Sequence, residues 1–122
     1  MQAVRVFIIS ILLVAFATAT YASESYIGQF LFKYEGGSVY RVTVKDAKSQ
    51  SWECIKGPEK GAHGIEKPER IQVADKIYFI SWVEKTGIQV SQVINLNSLK
   101  VYSTIIDGKE RYVLTGDIVR EK

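Results

Sequence analysis

From Gln29 onward, apolar and polar residues alternate with a period of two, and β-branched and aromatic side chains are dense. No stretch there carries a 3.6-residue apolar stripe longer than two turns. The alternation predicts eight strands, over 29–34, 38–45, 49–56, 70–73, 77–84, 88–95, 99–106 and 111–119. In the second, Tyr40, Val42 and Val44 share one face while Arg41, Thr43 and Lys45 share the other, the signature of a half-buried antiparallel strand. Short turn sequences separate most of them, among them Glu35-Gly36-Gly37, Asp46-Ala47-Lys48, Lys85-Thr86-Gly87 and Asp107-Gly108-Lys109. The exception is Gly57–Pro68, which holds both prolines and reads as one long loop. Gly116, inside the last strand, predicts a bulge or a bend.

Sequential short connections favour a meander. The predicted fold is therefore all-β, an antiparallel up-and-down barrel of about eight strands. A two-sheet sandwich with the same strand order is the alternative. Closure into a barrel removes the sheet edges and can enclose one small ligand.

The first 22 residues do not share this pattern. They contain one charge, Arg5, then a run over 6–17 that is apolar except for Ser10, then small residues ending at Ala22. That order predicts a secretory signal peptide over 1–22, cleaved after Ala22, with Ala19 as the second candidate. The apolar core falls short of the ~20 residues that span a bilayer, so no stable membrane anchor is expected after cleavage. The mature chain, 23–122, is then one exported domain, periplasmic or secreted, with the periplasm favoured.

Charge and cysteine content narrow the picture further. The formal net charge is +3 for the whole chain, and losing Arg5 leaves a mildly basic, evenly mixed domain. Nothing in it points to a nucleic acid partner or a membrane surface. One cysteine, Cys54, cannot form an internal bridge and is expected as a small buried residue.

The candidate chemistry centres on the strand 77–84. Alternation groups Tyr78, Ile80, Trp82 and Glu84 on one face, and Ile77, Phe79, Ser81 and Val83 on the other. Both faces are apolar enough to be buried, so Glu84 either faces an aromatic cavity or meets water at the strand end. In a cavity, desolvation would raise its pKa. Tyr34, Tyr40 and Trp52 are candidates to line the same cavity, where rings with polar tips suit a flat organic ligand; the alternative is ordinary core packing. His63, the one histidine, has no Cys, Asp or Glu at ligand spacing, so neither a metal site nor a Ser-His-Asp set is expected. No glycine-rich phosphate cradle is present, and no cofactor is expected.

The string Trp82-x-Glu84-x-Thr86-Gly87-x-x-Val90-Ser91 resembles the strand-turn-strand motif of phenolic acid decarboxylases and MoaF-like domains, small lipocalin-like (calycin) barrels. The likeness extends back through Ile27-Gly28 and Phe32-Lys33-Tyr34-Glu35-x-Gly37 to Tyr40. Forward, Val93-Ile94-Asn95-Leu96 and Lys100-Val101-Tyr102 look more MoaF-like than decarboxylase-like. In the decarboxylases, two tyrosines spaced two apart hold the substrate carboxylate, and an arginine and a glutamate serve the phenol end. By that resemblance Glu84 stands at the glutamate and Tyr34 at the second tyrosine. Phe32 replaces the first tyrosine, and no arginine stands around 61–63. The resemblance therefore supports the barrel more than the reaction. The expectation is a binding module for a small apolar or aromatic molecule, with Tyr34, Tyr40, Trp52, Tyr78, Trp82 and Glu84 lining its site. The alternatives are a decarboxylase-type lyase using Glu84 and Tyr34, and a barrel filled by its own side chains with a surface role.

Overall fold

The computed structural model describes residues 26–121. The expected signal peptide and its cleavage sites lie outside the described residues. Nine strands follow one another: β1 (Gly28–Tyr34), β2 (Val39–Asp46), β3 (Ser49–Lys56), β4 (His63–Glu66), β5 (Glu69–Ala74), β6 (Ile77–Val83), β7 (Gln89–Asn95), β8 (Lys100–Asp107) and β9 (Glu110–Arg120). They form one antiparallel sheet in the order β4-β3-β2-β1-β9-β8-β7-β6-β5. The first strand pairs with the last, Phe32 opposite Ile118, so the sheet curls back on itself. Among the described residues there is no helix.

Eight of the nine strands coincide with the alternating segments; β4 is the addition. It pairs four residues with β3, from Gln50↔Glu66 to Glu53↔His63, inside the segment expected as a loop. The true loop is shorter, a knot of turns in which Cys54 N–H donates to Ala62 O and Gly61 N–H to Cys54 O.

The extra strand alters how the sheet ends. Because every neighbouring pair is antiparallel, counting from β1 in both directions leaves β4 and β5 pointing the same way. They are two segments of one interrupted course, broken at Lys67-Pro68, the first paired with β3 and the second with β6. Proline has no N–H to give a ladder, which suits it to the break. The sealed eight-stranded barrel expected from alternation is thus a nine-stranded curled sheet, with a seam that backbone hydrogen bonds do not close.

Inside the curl, Phe30, Phe32, Val42, Val44, Tyr78, Ile80, Ile94, Val101 and Ile118 are buried. In β2, Val42 and Val44 are on the face that alternation groups with Tyr40. Gly116 causes no register shift in either ladder. It allows a close approach instead: a Cβ there would lie 2.8 Å from Lys33 O and 3.1 Å from the Tyr34 ring.

One end of the curl is plugged. Tyr26, fully buried, packs its ring on Phe30 at 5.1 Å and on Tyr78 at 5.9 Å between centroids. Arg70, from β5, places its guanidinium 5.5 Å from the Tyr26 ring centroid and 5.8 Å from that of Tyr78. It also donates to Tyr26 O at 2.9 Å and to Asp46 O at 2.7 Å. A strand on one side of the seam is thereby tied to the end of β2 and the approach to β1. This is a cation held by aromatic faces and two carbonyls.

Candidate functional site

The other end is open and leads into a cavity of about 100 Å³. Its position follows from the β6 alternation. Tyr78 and Ile80 are buried, whereas Phe79 and Val83 on the opposite face are 38% and 65% exposed. The Tyr-Ile-Trp-Glu face therefore points inward, and Glu84 lies just beyond the strand with its carboxylate in the cavity wall. The turn that follows fixes it: Glu84 N–H donates to Ile88 O and Gly87 N–H to Glu84 O, both at 2.8 Å.

Of the six residues expected to line a ligand site, five border this cavity: Tyr34, Tyr40, Trp52, Trp82 and Glu84. Tyr78 does not; it lies at the plugged end against Tyr26. Alternation assigns a face of the sheet but not a depth along the barrel. Tyr34, Tyr40 and Trp52 form a chain of edge contacts, with centroids 5.9 and 6.0 Å apart. Val42, Ile88, Val90, Ile105 and Leu114 complete an apolar wall.

Deeper in the cavity the lining turns polar. Tyr34 Oη and Ser103 Oγ are 2.7 Å apart, and Gln92 Nε2 donates to both, at 3.3 and 3.2 Å. Gln92 is 7% exposed, and its Oε1 is buried without a partner among the described residues. Burial raises the Tyr34 phenol pKa, against the opposing hydrogen bonds from Ser103 and Gln92. At neutral pH it is a neutral hydroxyl, already engaged.

Three aromatic side chains of the cavity wall each donate to a carboxylate, and two of those acids, Glu59 and Glu84, line the cavity themselves. Trp52 Nε1 donates to Glu66 at 2.9 Å, Trp82 Nε1 to Glu84 at 3.3 Å, and Tyr40 Oη to Glu59. Gly64, directly across from Trp52 in the ladder, makes the first of these contacts available. A Cβ on it would meet both Trp52 Nε1 and Glu66 Oε2 at 2.9 Å. Burial pushes the Glu84 carboxyl above its ordinary range; the Trp82 N–H opposes this, and the charges of Glu66 and Glu59 reinforce it. The Tyr40 phenol is likewise raised, by burial first and then by Glu59.

Glu59, Glu66 and Gln92 were not among the sequence candidates. The glutamates fall in the segment read as a loop. Gln92 was legible in principle, since it shares an inward face with Val90 and Ile94. His63 lies on the exposed face of β4, and Cys54 is buried, its Sγ donating to Lys56 O at 3.3 Å. Among the described residues, no group of His, Cys, Asp and Glu side chains is arranged to hold a metal ion. No arginine, lysine or histidine lines the cavity.

A curled antiparallel sheet with one plugged end and one ring-lined cavity defines a small calycin-like β-barrel domain. The MoaF-like family model matches residues 28–119, and the chain belongs to that family. The fold is similar to the crystal structure of a protein from Burkholderia vietnamiensis provisionally named a beta-lactamase. That likeness has a TM-score of 0.73 at 18% identity, covering 84% of this chain and 99% of the other. No curated protein matches the sequence.

Proposed function

We propose that this domain is an exported binding module that holds a small, largely apolar or aromatic molecule in its cavity without transforming it. The observation carrying this reading is the cavity itself: about 100 Å³, walled by Tyr34, Tyr40, Trp52 and Trp82, with polar groups only at its floor and mouth. Space of that order suits a guest with one ring. A barrel filled by its own side chains would leave no such room. Export is supported by the charge, apolar run and small-residue exit of residues 1–22.

A second reading, a decarboxylase-type lyase, draws support from Glu84, whose carboxyl is raised by burial in an aromatic setting as a general acid needs. The remaining residues argue against it. Phe32 offers no hydroxyl, the Tyr34 hydroxyl is engaged by Ser103 and Gln92, and no arginine lines the cavity. Incubation with hydroxycinnamic acids separates the two: a binding module leaves their absorbance unchanged, and loss above a Glu84→Gln control would establish the lyase.

Both tryptophans of the chain border the cavity, so intrinsic fluorescence reports on it directly. Titration with small aromatic compounds should give saturable changes, weakened about tenfold in Trp82→Ala, the loss of one aromatic contact. A Trp82→Ala variant that binds every hit as well as the wild type would remove the assignment. N-terminal sequencing of the mature protein should begin at Ser23 or Thr20; an intact Met1 on the folded protein in cells would contradict export.

A further inference from the structure

The outer face of the sheet has two unlike halves. Over β1–β3 it carries Lys33, Arg41, Lys45 and Glu53, as a solvated face should. Over β6–β9 two adjacent rows of the ladder carry no charge. One runs Phe79, Val93, Tyr102, Thr115 and the next Ser81, Ser91, Thr104, Val113. Phe79, Tyr102 and Val113 are exposed there, and Ile71 and Val73 of β5 continue the patch. Single exposed apolar residues are ordinary, whereas a contiguous patch marks a contact surface.

The strand registers restrict what fits this face. Consider a two-fold axis running across the strands at the level of Ile80, Gln92, Ser103 and Leu114. It lays the first row of one copy on the second row of the other, so that large side chains meet small ones. Phe79 faces Ser81, Val93 faces Ser91, Tyr102 faces Thr104 and Val113 faces Thr115, the interdigitation that packed sheets need. The flanking rows match as well. Ile77 meets Val83, the amide of Asn95 meets that of Gln89, and the Lys100 stem covers Ile106. Asp117, paired with Lys100 within one copy, comes opposite Arg111 of the other. An axis along β7 instead would set Phe79 against Tyr102, ring on ring, and Lys100 against Ile77.

We infer that the outer face of β6–β9 binds a second copy of this chain, outer face to outer face, with the strands of the two copies antiparallel. Charge and shape favour a copy over an unrelated partner. The face itself supplies an acid for its own arginine and a small side chain for each of its large ones. Four strands ~4.8 Å apart, over six residues of ~3.4 Å rise, make a face of roughly 400 Å² per copy. That is the low end for a specific contact, so the dimer is a weak one. The contact lies on the far side of the barrel wall from the cavity, and the inference is independent of what the cavity holds.

The test is sedimentation velocity on the mature wild-type protein from about 5 to about 500 µM, the range in which a weak dimer assembles. The weight-average sedimentation coefficient should climb toward that of a dimer. Tyr102→Glu and Val113→Glu, which put charge into the neutral rows, should stay monomeric throughout. Both positions are exposed, and cooperative unfolding like that of the wild type shows the variants to be folded. Arg111→Asp and Asp117→Arg should each weaken the dimer about tenfold, because the symmetry repeats every like-charge contact twice. Mixing those two variants in equal amounts should restore association, since both contacts of the mixed pair are again of opposite sign. A wild type that is monomeric at every concentration overturns the inference, as does a dimer that survives both glutamate variants. Dissociation in the glutamate variants without rescue on mixing overturns the placement of the two-fold axis.

Discussion

Both ends of the curled sheet are built from aromatic rings, yet only one contains its own cation. At the plugged end, Arg70 lies against Tyr26 and Tyr78 and donates to two backbone carbonyls. At the open end, Tyr40, Trp52 and Trp82 are tethered to carboxylates, and no basic side chain enters the lining. Ring content alone therefore does not distinguish core from site. What distinguishes them is whether the chain completes the electrostatics itself. The plugged end is complete apart from the Tyr26 hydroxyl, which is buried without a partner among the described residues. At the open end the chain sets carboxylates against the rings and supplies no cation to them.

Substitutions at the two ends sharpen this contrast. The largest effect belongs to Tyr26→Ala, which empties a fully buried site. It should cost about 3–5 kcal/mol in denaturant unfolding, the range for deleting a buried aromatic ring. A loss below about 1 kcal/mol would mean the plug is not structural, since surface changes have effects of that size. Arg70→Met comes next, at about 2 kcal/mol, because it keeps the apolar stem and removes charged donors from two carbonyls. It should leave guest affinity at the open end unchanged; a parallel loss of binding would show that the ends are not independent.

Gly64→Ala should be milder for stability, about 1 kcal/mol, as its new Cβ crowds the Trp52 indole and the Glu66 carboxylate. Its specific mark is a shift in tryptophan emission as the Trp52 indole moves. An unchanged spectrum would contradict the close approach across that ladder.

Smallest of all is Glu84→Gln, expected to leave stability at neutral pH equal or slightly higher. The folded-state carboxyl lies above its ordinary value, chiefly through burial, so the ionised form is disfavoured by folding. Stability from this group is complete below the unfolded pKa of about 4.3 and declines as pH rises through the raised folded value. The charges of Glu59 and Glu66 act on the same carboxyl, so the comparison must be made against the variant. Melting temperature across pH 4–7 should show an extra acid-side gain in the wild type that Glu84→Gln lacks. Parallel curves would place Glu84 in ordinary solvent.

Much of this was legible in the alternation. It located eight strands and grouped Trp82 with Glu84, because a half-buried strand writes its faces into the sequence. The ninth strand was not legible. His63-Gly64-Ile65-Glu66 is four residues among glycines and a proline, and its pairing with β3 depends on a tertiary neighbour, not on local propensity. Missing it concealed the break in the barrel wall and, with it, Glu66. Tyr78 was misplaced for a different reason: a period of two cannot say how far along the axis a ring lies. The resemblance at Trp82–Ser91 led to the correct family, and the absent tyrosine and arginine already separated this chain from the decarboxylase pattern.

The most direct measurement uses the two indole N–H groups, which belong to Trp52 and Trp82 and both lie at the mouth. In a nitrogen-15 NMR titration with a small aromatic compound that changes the intrinsic fluorescence, both indole resonances should shift together and saturate, while the Arg70 side chain at the plugged end stays still. Indole signals that remain unmoved while such compounds are bound elsewhere, or not bound at all, would contradict the account.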